Sequence, residues 1–385
     1  MTGNKKIFII AGEASGDLHG SELIKEIKKI DSKVEIWAVG GDKMKEAGAN
    51  ILVPSSRLSV VGLTEVLSHA FPIVSSFFTI RSCLKKGGFN LLILIDFPEF
   101  NMLMARFAKK IGLKVLYYIS PQVWAWRQGR VKKIRKYVDK LAVILPFEKD
   151  FYKRYGLEVE YVGHPLIDVV KEPEDKEEFV TRVGLKDTET LISLLPGSRR
   201  SEIKSLLPLM LEVSKKLTNE FDKLRFFVAI APNLTKETEQ FIIDLVNNEK
   251  EDGLKISCLK NSTYHALSCS RFALLASGTA ALEAAILNCP MIVLYKLSPI
   301  TYFLGRLLIK VKWVSLVNLI AQKQIVPELL QHDANIKKVY EEAKRYLEDD
   351  KLYINTKKEL VDLKKRLGDG DAAKKTAKIA LELIN

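Results

Sequence analysis

Short apolar runs alternate along this chain with segments in which apolar residues recur at helical spacing. In residues 21–30, for example, Leu23, Ile24, Ile27 and Ile30 fall on one face of a helix. This alternation predicts an α/β fold in which helices cover parallel strands. The predicted strands are Lys6–Ala11, Val34–Val39, Leu91–Asp96, Lys114–Ile119, Lys140–Leu145, Leu191–Leu195, Leu224–Ala229, Lys255–Leu259, Phe272–Ala276 and Met291–Tyr295.

The alternation is interrupted once, by the polar, proline-containing segment 171–178, and then starts again. A chain of 385 residues also exceeds what one hydrophobic core usually serves. We therefore predict two Rossmann-like domains, residues 1–168 and residues 169–349, with helices from about residue 350 to 385 returning to the first. The carboxyl ends of the strands of both domains are expected to line a cleft, because open α/β sheets bind ligands there.

The net charge of +13 indicates an anionic partner, such as nucleic acid, anionic lipid headgroups or a phosphorylated substrate. Basic residues are densest in residues 127–136, but no nucleic-acid-binding motif accompanies them, so no nucleic acid is expected. The cysteines lack C-x-x-C spacing, which indicates a reducing compartment and no zinc site. The apolar run after Lys6 is too short for a signal peptide, so a cytoplasmic protein is predicted.

Two stretches, Leu58–Ile80 and Ile300–Trp313, are rich in apolar and aromatic residues, although neither has the uncharged length of a membrane-spanning helix. A basic, aromatic amphipathic helix can lie in the headgroup plane of a bilayer. The alternative is a buried helix with one polar face. We favour the first interpretation, which predicts peripheral association with the inner surface of the cytoplasmic membrane.

The loop that follows the first strand, Ala11–Gly20, contains three glycines and several polar side chains. The glycines allow a tight turn and a close approach of a ligand to the helix N-terminus. The polar residues make the loop a candidate site, although an aspartate or serine here can also simply cap the helix. These residues are Glu13, Ser15, Asp17 and His19.

Two further loops in the first half follow strands. Asp96 ends an apolar strand, where an isolated buried carboxylate would be costly. It is a candidate general base with a pKa raised by burial, or else a helix cap followed by Pro98. Trp124 and Arg127 offer a flat apolar surface and a guanidinium group for a sugar or a phosphate, although the tryptophan equally suits a core.

The second half contains two turns with the order strand, glycine, helix. In the first, Ser198 and Arg199 lie where backbone N–H groups and a guanidinium would hold a diphosphate, without the lysine of a Walker loop. The second turn places Glu283 one turn into its helix, where a carboxylate can bind the vicinal hydroxyls of a ribose. Capping of that helix by its threonine is the alternative. The second turn consists of Ser277, Gly278 and Thr279.

Taken together, these segments resemble the lipid-A-disaccharide synthase family. A single such string is weak, but the set occurs in the expected order over most of the chain. The resemblance implies the GT-B fold, an α/β architecture of two Rossmann-like domains facing across a cleft. The strings are AGEASGD at 11–17, D-x-P-x-F-N at 96–101, SPQVWAWR at 120–127, LPFEKDFY at 145–152, VGHP at 162–165, LLPGSR at 194–199, ASGTAALE at 276–283, Asn318-Leu319 and VPELLQ at 326–331.

The resemblance implies an inverting hexosyltransferase that joins UDP-2,3-diacylglucosamine to 2,3-diacylglucosamine 1-phosphate. The products would be the β-1,6-linked lipid A disaccharide 1-phosphate and UDP. An inverting transfer needs a base for the acceptor hydroxyl and a cradle for the leaving diphosphate. Asp96 is the first candidate for the base, with His19 or Asp17 as the second.

By this assignment Ser198 and Arg199 hold the diphosphate and Glu283 holds the ribose. By resemblance alone, Asn318 and Gln331 are expected near the donor. No metal ion or other cofactor is expected, because a helix dipole and an arginine would stabilise the leaving diphosphate in place of a metal ion. The Asp-Gly-Asp sequence at 369–371 precedes the predicted helix Ala372–Ile384, which Asp371 is placed to cap.

The sequence departs from the family pattern at Glu99, at Asp42 and at Gln322-Lys323, where the family usually has Asp, Pro and Gly-Arg. Oligomeric state is open, including a homodimer that exchanges its C-terminal residues. Two rival functions also remain. One is an isomerase resembling UDP-N-acetylglucosamine 2-epimerase, which needs no acceptor, and the other is a nucleotide-sugar-binding protein without catalysis.

Overall fold

The computed structural model describes residues 5–58, 66–232, 234–296 and 312–385, with the backbone alone at residue 14 and residues 66–71. The chain forms two compact units: Met1–Pro165 with Leu367–Asn385, and Leu166–Arg366. The division therefore falls after Pro165 rather than after residue 168. Helix Asp350–Arg366 belongs to the second unit, contrary to the predicted return from about residue 350, because it packs on helices Thr279–Ile286 and Leu316–Ala321.

In the first unit, the described residues form one sheet of seven parallel strands in the order β3-β2-β1-β4-β5-β6-β7. Strands β1 to β7 are Lys6–Ala11, Glu35–Gly40, Asn50–Pro54, Leu91–Ile95, Lys114–Tyr118, Lys140–Val143 and Glu160–Tyr161. Helices α1 to α6 are Ala14–Ile30, Asp42–Glu46, Val66–Lys86, Pro98–Lys110, Val131–Tyr137 and Pro146–Lys153.

In the second unit, the described residues form a sheet of six parallel strands in the order β10-β9-β8-β11-β12-β13. Strands β8 to β13 are Thr190–Leu195, Leu224–Ile230, Ile256–Lys260, Phe272–Ala276, Met291–Tyr295 and Glu328–Leu330. Helices α7 to α15 are Leu166–Val169, Lys176–Val183, Arg200–Thr218, Lys236–Glu251, Thr263–Cys269, Thr279–Ile286, Leu316–Ala321, Ile336–Glu348 and Asp350–Arg366. The final helix, α16, is Ala372–Ile384 and belongs to the first unit.

Strand β1 shows why the central strands read as continuous apolar runs. Ile7 and Ile9 enter the core on one face of the sheet, and Phe8 and Ile10 enter the core on the other. Helix α16 packs on α1 and covers the face that contains Ile7. Because helices cover both faces of a parallel sheet, every position of such a strand is buried and apolar.

Both sheets are wound in the same way, so the predicted α/β fold of parallel sheets is confirmed. The strand order reverses between β1 and β4 in the first sheet and between β8 and β11 in the second. Parallel strands present their carboxyl ends at one edge, and ligands bind where the order reverses. The loops after these four strands are among those that the sequence singled out; the loop with Trp124 and Arg127 follows β5.

Helix α16 matches the helix predicted at the C-terminus, but its start is not capped as predicted. Asp371 occupies the N-cap position with a φ of 62°, and its side chain makes no capping hydrogen bond. Its carboxylate lies instead 3.6 Å from the Lys374 ammonium group.

Every helix among the described residues is too short or too polar to cross a bilayer. Of the two predicted membrane-docking stretches, Leu58–Ile80 is described except for residues 59–65. Most of Ile300–Trp313 lies outside the described residues, which resume at residue 312.

Candidate active site

In the first unit, the loop after β1 packs against the loop after β4. A Cβ atom at Gly12 would fall 2.5 Å from the ring of Phe97, and one at Gly16 would fall 3.1 Å from the Cβ of Ala11. A larger residue at Gly12 would therefore push the two loops apart, and one at Gly16 would crowd the end of β1. This packing brings Glu13 close enough to Asp96 to influence its titration.

Asp96 lies in a sharp turn whose backbone is fixed by two side chains. Asp96 and Phe97 have φ angles of 46° and 47°, which few residues other than glycine adopt. The Asp96 carbonyl accepts hydrogen bonds from the Asn101 amide at 2.7 Å and from the Tyr117 hydroxyl at 2.6 Å. Neither supporting residue was singled out from the sequence, although Asn101 ends one of the matched strings.

The carboxyl group of Asp96 has a raised pKa. Burial and then the negative charge of Glu13 raise its pKa to about 6, against a hydrogen bond from the Phe97 N–H. A carboxylate with this pKa is ionised at pH 7 and is more basic than an exposed one. Glu13 and Ser15 themselves are exposed.

The carboxylate of Asp17 has a structural role in the described chain. It accepts backbone N–H hydrogen bonds from Gly41 at 2.6 Å, Lys43 at 3.2 Å and Met44 at 3.2 Å. It therefore caps α2, the helix after β2, and not the helix that contains it. Because both carboxylate oxygens are engaged by backbone N–H groups of the protein, this geometry argues against Asp17 as the base.

His19 has a histidine neighbour that was not singled out from the sequence, His164 of the string VGHP. Burial lowers the pKa of His19 to about 4. Burial, and then repulsion from His19, lowers the pKa of His164 to about 3. Both imidazoles are therefore neutral at pH 7, and His19 is a weaker base than Asp96.

Trp124 belongs to the core of the first unit. Its indole N–H donates to the buried carboxyl group of Glu148 at 3.2 Å. Glu148 also accepts the backbone N–H groups of Ile144 and Leu145, and burial raises its pKa to about 7. The predicted contact of Trp124 with substrate is therefore not supported, and the core alternative explains the residue.

Arg127, in contrast, lies on the surface beside Trp126, which is 37% exposed. Its guanidinium carbon is 4.3 Å from the centre of the Trp126 ring, within the range of a cation–π contact. Arg127 Nη1 also lies 2.9 Å from Oε1 of Glu99, and Arg130 pairs with the same oxygen. Arg127 is thus available to a ligand, although not together with Trp124.

In the second unit, the turn after β8 exposes cationic groups at the start of a long helix. Helix α9, of 19 residues, begins at Arg200, and its N-cap residue Arg199 supplies no side-chain cap. The Arg199 side chain is 77% exposed and pairs with Glu202 at 3.1 Å. Ser198 is also exposed. The N–H groups at the start of a helix, together with a guanidinium such as that of Arg199, are groups that bind a diphosphate.

The turn after β11 adjoins the first turn, and a cavity of about 240 Å³ lies between them. Ser277, Gly278 and Thr279 line the cavity together with Ser198 and Glu283. A Cβ atom at Gly278 would meet no atom within 4 Å, so this glycine faces open space. The structure therefore brings most of the predicted donor-binding residues of this unit together.

Glu283 has a hydrogen-bond partner that was not singled out from the sequence. The Tyr264 hydroxyl donates to Oε1 of Glu283 at 3.2 Å. Burial raises the pKa of Glu283, and this hydrogen bond lowers it. Tyr264 and Glu283 also line a second cavity of about 540 Å³, which shares Pro232 and Thr263 with the first.

Of the two residues assigned by resemblance alone, neither is among the residues that line the two described cavities, and Gln331 lies at the carboxyl ends of β12 and β13. Its N–H donates to the carbonyl of Tyr295, the last residue of β12, at 2.8 Å. Asn318 is fully buried, and its side chain binds the backbone of Ile325 and Val326 and the carboxylate of Glu328. Asn318 therefore organises a loop and is not directed to the cavity.

The chain is similar to known proteins over nearly its whole length. Residues 7–383 match the family model described as LpxB, lipid-A-disaccharide synthetase. The lipid-A-disaccharide synthase of Geobacter metallireducens is 40% identical over 381 residues, covering 99% of this chain and 98% of the relative. That of Nitrosococcus oceani is 43% identical over 341 residues, covering 89% and 87%.

Two solved structures show how far the fold is shared. A co-structure of MnaA from S. aureus with UDP matches with a TM-score of 0.66 and 14% identity, covering 98% of this chain and 97% of that one. A UDP-GlcNAc 2-epimerase from Neisseria meningitidis bound to UDP-GlcNAc matches with a TM-score of 0.66 and 12% identity, covering 98% and 100%. At such identities the likeness concerns the fold alone.

Proposed function

The chain belongs to the lipid-A-disaccharide synthase family, and on that premise we propose how its residues share the work of glycosyl transfer. It is an inverting hexosyltransferase that joins UDP-2,3-diacylglucosamine to 2,3-diacylglucosamine 1-phosphate, giving the β-1,6-linked lipid A disaccharide 1-phosphate and UDP. The structural neighbour that is a UDP-GlcNAc 2-epimerase shares only the fold with this chain, whereas the relatives by sequence are lipid-A-disaccharide synthases.

The donor binds at the reversal point of the second sheet. The observation that carries this assignment is the cavity between the two helix-starting turns, lined by Ser198, Gly278 and Glu283. The diphosphate takes the N–H groups at the start of α9 and the guanidinium of Arg199. These groups stabilise the negative charge that develops on UDP as it leaves. Glu283 binds hydroxyl groups of the nucleotide, held in place by the hydrogen bond from Tyr264.

Asp96 is the base in this proposal. It takes the proton from the 6-hydroxyl of the acceptor while that oxygen bonds to the anomeric carbon and UDP departs on the opposite side, which inverts the configuration. Its raised pKa supports the assignment over Asp17, whose carboxylate caps α2, and over His19, which is less basic. The first unit accordingly serves the acceptor.

Both substrates carry acyl chains, so the enzyme works at the inner surface of the cytoplasmic membrane as a peripheral protein. Exposed apolar side chains on the first unit support this part of the proposal. Val74 and Phe78 on α3 are 51% and 58% exposed, and Leu103 on the neighbouring helix α4 is 55% exposed. Because α3 falls in the predicted stretch Leu58–Ile80, sedimentation of Phe78→Glu with anionic vesicles should be weaker than that of the unmodified protein.

The decisive experiment measures UDP release from the defined donor with and without the monophosphorylated acceptor. We expect release only with the acceptor, and a loss of about 10²- to 10⁴-fold in kcat for Asp96→Asn. Asparagine tolerates positive φ, so this variant should fold. Asp150→Asn, which changes an exposed aspartate of the same unit, is the matched control.

Two outcomes would count against the proposal. Conversion of the donor to an epimer without acceptor would indicate the isomerase. An Asp96→Asn variant as fast as Asp150→Asn would exclude Asp96 as the base.

A further inference from the structure

A cluster of four side chains on the first unit has no part in the reaction as proposed. Glu99 follows the Asp96 turn, in the first turn of α4. Arg127 and Arg130 both bind its Oε1 atom. Their guanidinium carbons lie 4.3 Å and 5.8 Å from the centre of the Trp126 ring. We call these four residues the arginine cluster.

The geometry of the arginine cluster is that of an anion site occupied by the protein's own carboxylate. The Glu99 side chain is 70% exposed, so its charge stays in water and the ion pairs contribute little to stability. Two guanidinium groups carry more N–H donors than one carboxylate oxygen can accept. A phosphate monoester, with up to two negative charges and three acceptor oxygens, would use donors that Glu99 leaves unfilled.

The backbone around Arg127 adds a second observation. Arg127 has a φ of 57° and is the N-cap residue of the short helical turn Gln128–Arg130. A left-handed conformation is unfavourable for a residue with a side chain and is concentrated at functional sites. Here it presents Arg127 toward the same carboxylate as Arg130, which lies at the other end of the turn.

The arginine cluster is also near the proposed base. Asp96 and Glu99 are three residues apart, so their Cα atoms lie at most about 11 Å from each other. An acceptor sugar has the phosphate on C1 and the reacting hydroxyl on C6, which is attached to C5, so the two groups stand on the two carbons that flank the ring oxygen, a few ångströms apart. A single monosaccharide phosphate can therefore reach Asp96 with its hydroxyl and the arginines with its phosphate.

We propose that Arg127 and Arg130 bind the 1-phosphate of the acceptor, displacing Glu99, and that this contact directs the 6-hydroxyl to Asp96. The inference rests on the proposed function, in which Asp96 deprotonates that hydroxyl. Arg127 and Arg130 thereby select a phosphorylated acceptor over its dephosphorylated counterpart. The phosphates of membrane lipids have the same chemistry, and the experiment separates the two sources.

The experiment compares 2,3-diacylglucosamine 1-phosphate with 2,3-diacylglucosamine as acceptors, both in detergent micelles. The proteins are the unmodified enzyme, the double variant Arg127→Gln with Arg130→Gln, and the control Lys132→Gln with Lys133→Gln. The control removes the same charge from exposed positions of the adjoining helix α5. We expect the unmodified enzyme and the control to prefer the phosphorylated acceptor by about 10- to 100-fold in kcat/KM.

In the arginine double variant this preference should fall to a few-fold, mainly through a higher KM for the phosphorylated acceptor. Arg127→Gln alone, at a half-exposed side chain, should lose part of the preference and covers the case in which the double variant does not fold. An unchanged preference in the folded arginine variants would overturn the inference.

Sedimentation with phosphatidylglycerol vesicles provides the second arm. Loss of vesicle binding in the arginine variants, with the acceptor preference intact, would assign the cluster to lipid headgroups and would also overturn the inference. Turnover by the unmodified enzyme tests the proposed function separately. If UDP is released with the phosphorylated acceptor, that function stands whatever the arginine variants do.

Discussion

The two units wind their sheets in the same way, yet the glycines that follow their central strands have different neighbours. In the first unit, Gly12 and Gly16 make room for protein atoms, the ring of Phe97 and the Cβ of Ala11. In the second unit, Gly278 meets no atom within 4 Å and borders a cavity. A shared strand–glycine–helix order therefore predicts where a site lies but not whether the glycine accommodates the protein or a ligand.

The charged residues near the two reversal points also differ. In the first unit, the start of α1 carries Glu13, whose charge raises the pKa of Asp96. In the second, the start of α9 carries Arg199 and the exposed Ser198. Both helix starts carry a carboxylate, Glu13 at the N-cap of α1 and Glu202 in the first turn of α9, so they differ in the added cation of Arg199, which pairs with Glu202 at 3.1 Å. A helix N-terminus with an adjacent guanidinium favours binding of an anion.

Among the tests of this comparison, the largest effect is expected from Arg199→Ala, which should lower kcat by about 10²- to 10³-fold because the departing diphosphate loses its guanidinium. Arg200→Ala is the matched control. Its guanidinium is already held by two hydrogen bonds to Glu237, at 3.0 Å and 2.9 Å, so less than a few-fold change is expected. Rapid-quench measurement of the single-turnover rate compares the two variants. Equal rate losses in both would contradict a special role for Arg199.

The comparison of glycines is tested by Gly12→Ala against Gly278→Ala. Gly12→Ala should destabilise the fold by about 1–3 kcal/mol, because its Cβ would overlap the Phe97 ring. Gly278→Ala should leave stability nearly unchanged and raise the donor KM by about tenfold, because its Cβ enters the cavity. Urea unfolding and steady-state kinetics measure both. The reverse pattern would show that the two glycines have been assigned the wrong way round.

A smaller effect is expected from Tyr264→Phe, which removes the hydrogen bond to Glu283. The donor KM should rise by about three- to tenfold with kcat little changed, because the carboxylate loses its positioning partner. Tyr340→Phe removes a tyrosine–glutamate hydrogen bond to Glu220, away from the cavity, and should have no effect. A change in kcat alone would contradict a positioning role for Tyr264.

The smallest effect is a shift in pH dependence for Glu13→Gln. Activity requires ionised Asp96, so it should fall as the pH decreases through about 6. Removing the Glu13 charge lowers the pKa of Asp96 and moves this fall to lower pH. If kcat/KM of the unmodified enzyme instead falls near pH 4, the result would indicate His19 as the base. Glu148→Gln is the control, because Glu148 has a pKa of about 7 and is another carboxyl group that titrates near this pH. This variant should leave the fall in activity where it is.

Every strand predicted from the sequence is present, and the strands that were missed lie at sheet edges. Asn50–Pro54 and Glu160–Tyr161 border the first sheet, and Glu328–Leu330 borders the second. An edge strand has one neighbour and is partly exposed, so it can be short and need not be apolar. The central strands can be predicted from the sequence because burial on both faces requires an unbroken apolar run.

The site was predictable in its loops and less so in its individual side chains. Asp17, Trp124 and Asn318 belong to matched strings, but in the described chain their polar atoms hold the backbone or a core carboxyl group. The residue types that bind ligands also satisfy buried N–H groups, and spacing cannot separate the two uses. Gln322, where the family usually has glycine, has a φ of 57°, which explains why glycine suits that position.

The position of α16 also sets an order in which the chain can fold. Its residues Ala377, Ala380 and Leu381 cover the same sheet face as Ile7 and Ile9, from the opposite end of the chain. During synthesis, the second unit has all of its residues before this helix emerges from the ribosome. The first sheet, although made first, must leave part of an apolar face uncovered until α16 emerges, and a chain cut short before α16 would retain all residues of the second unit beside an incomplete first one.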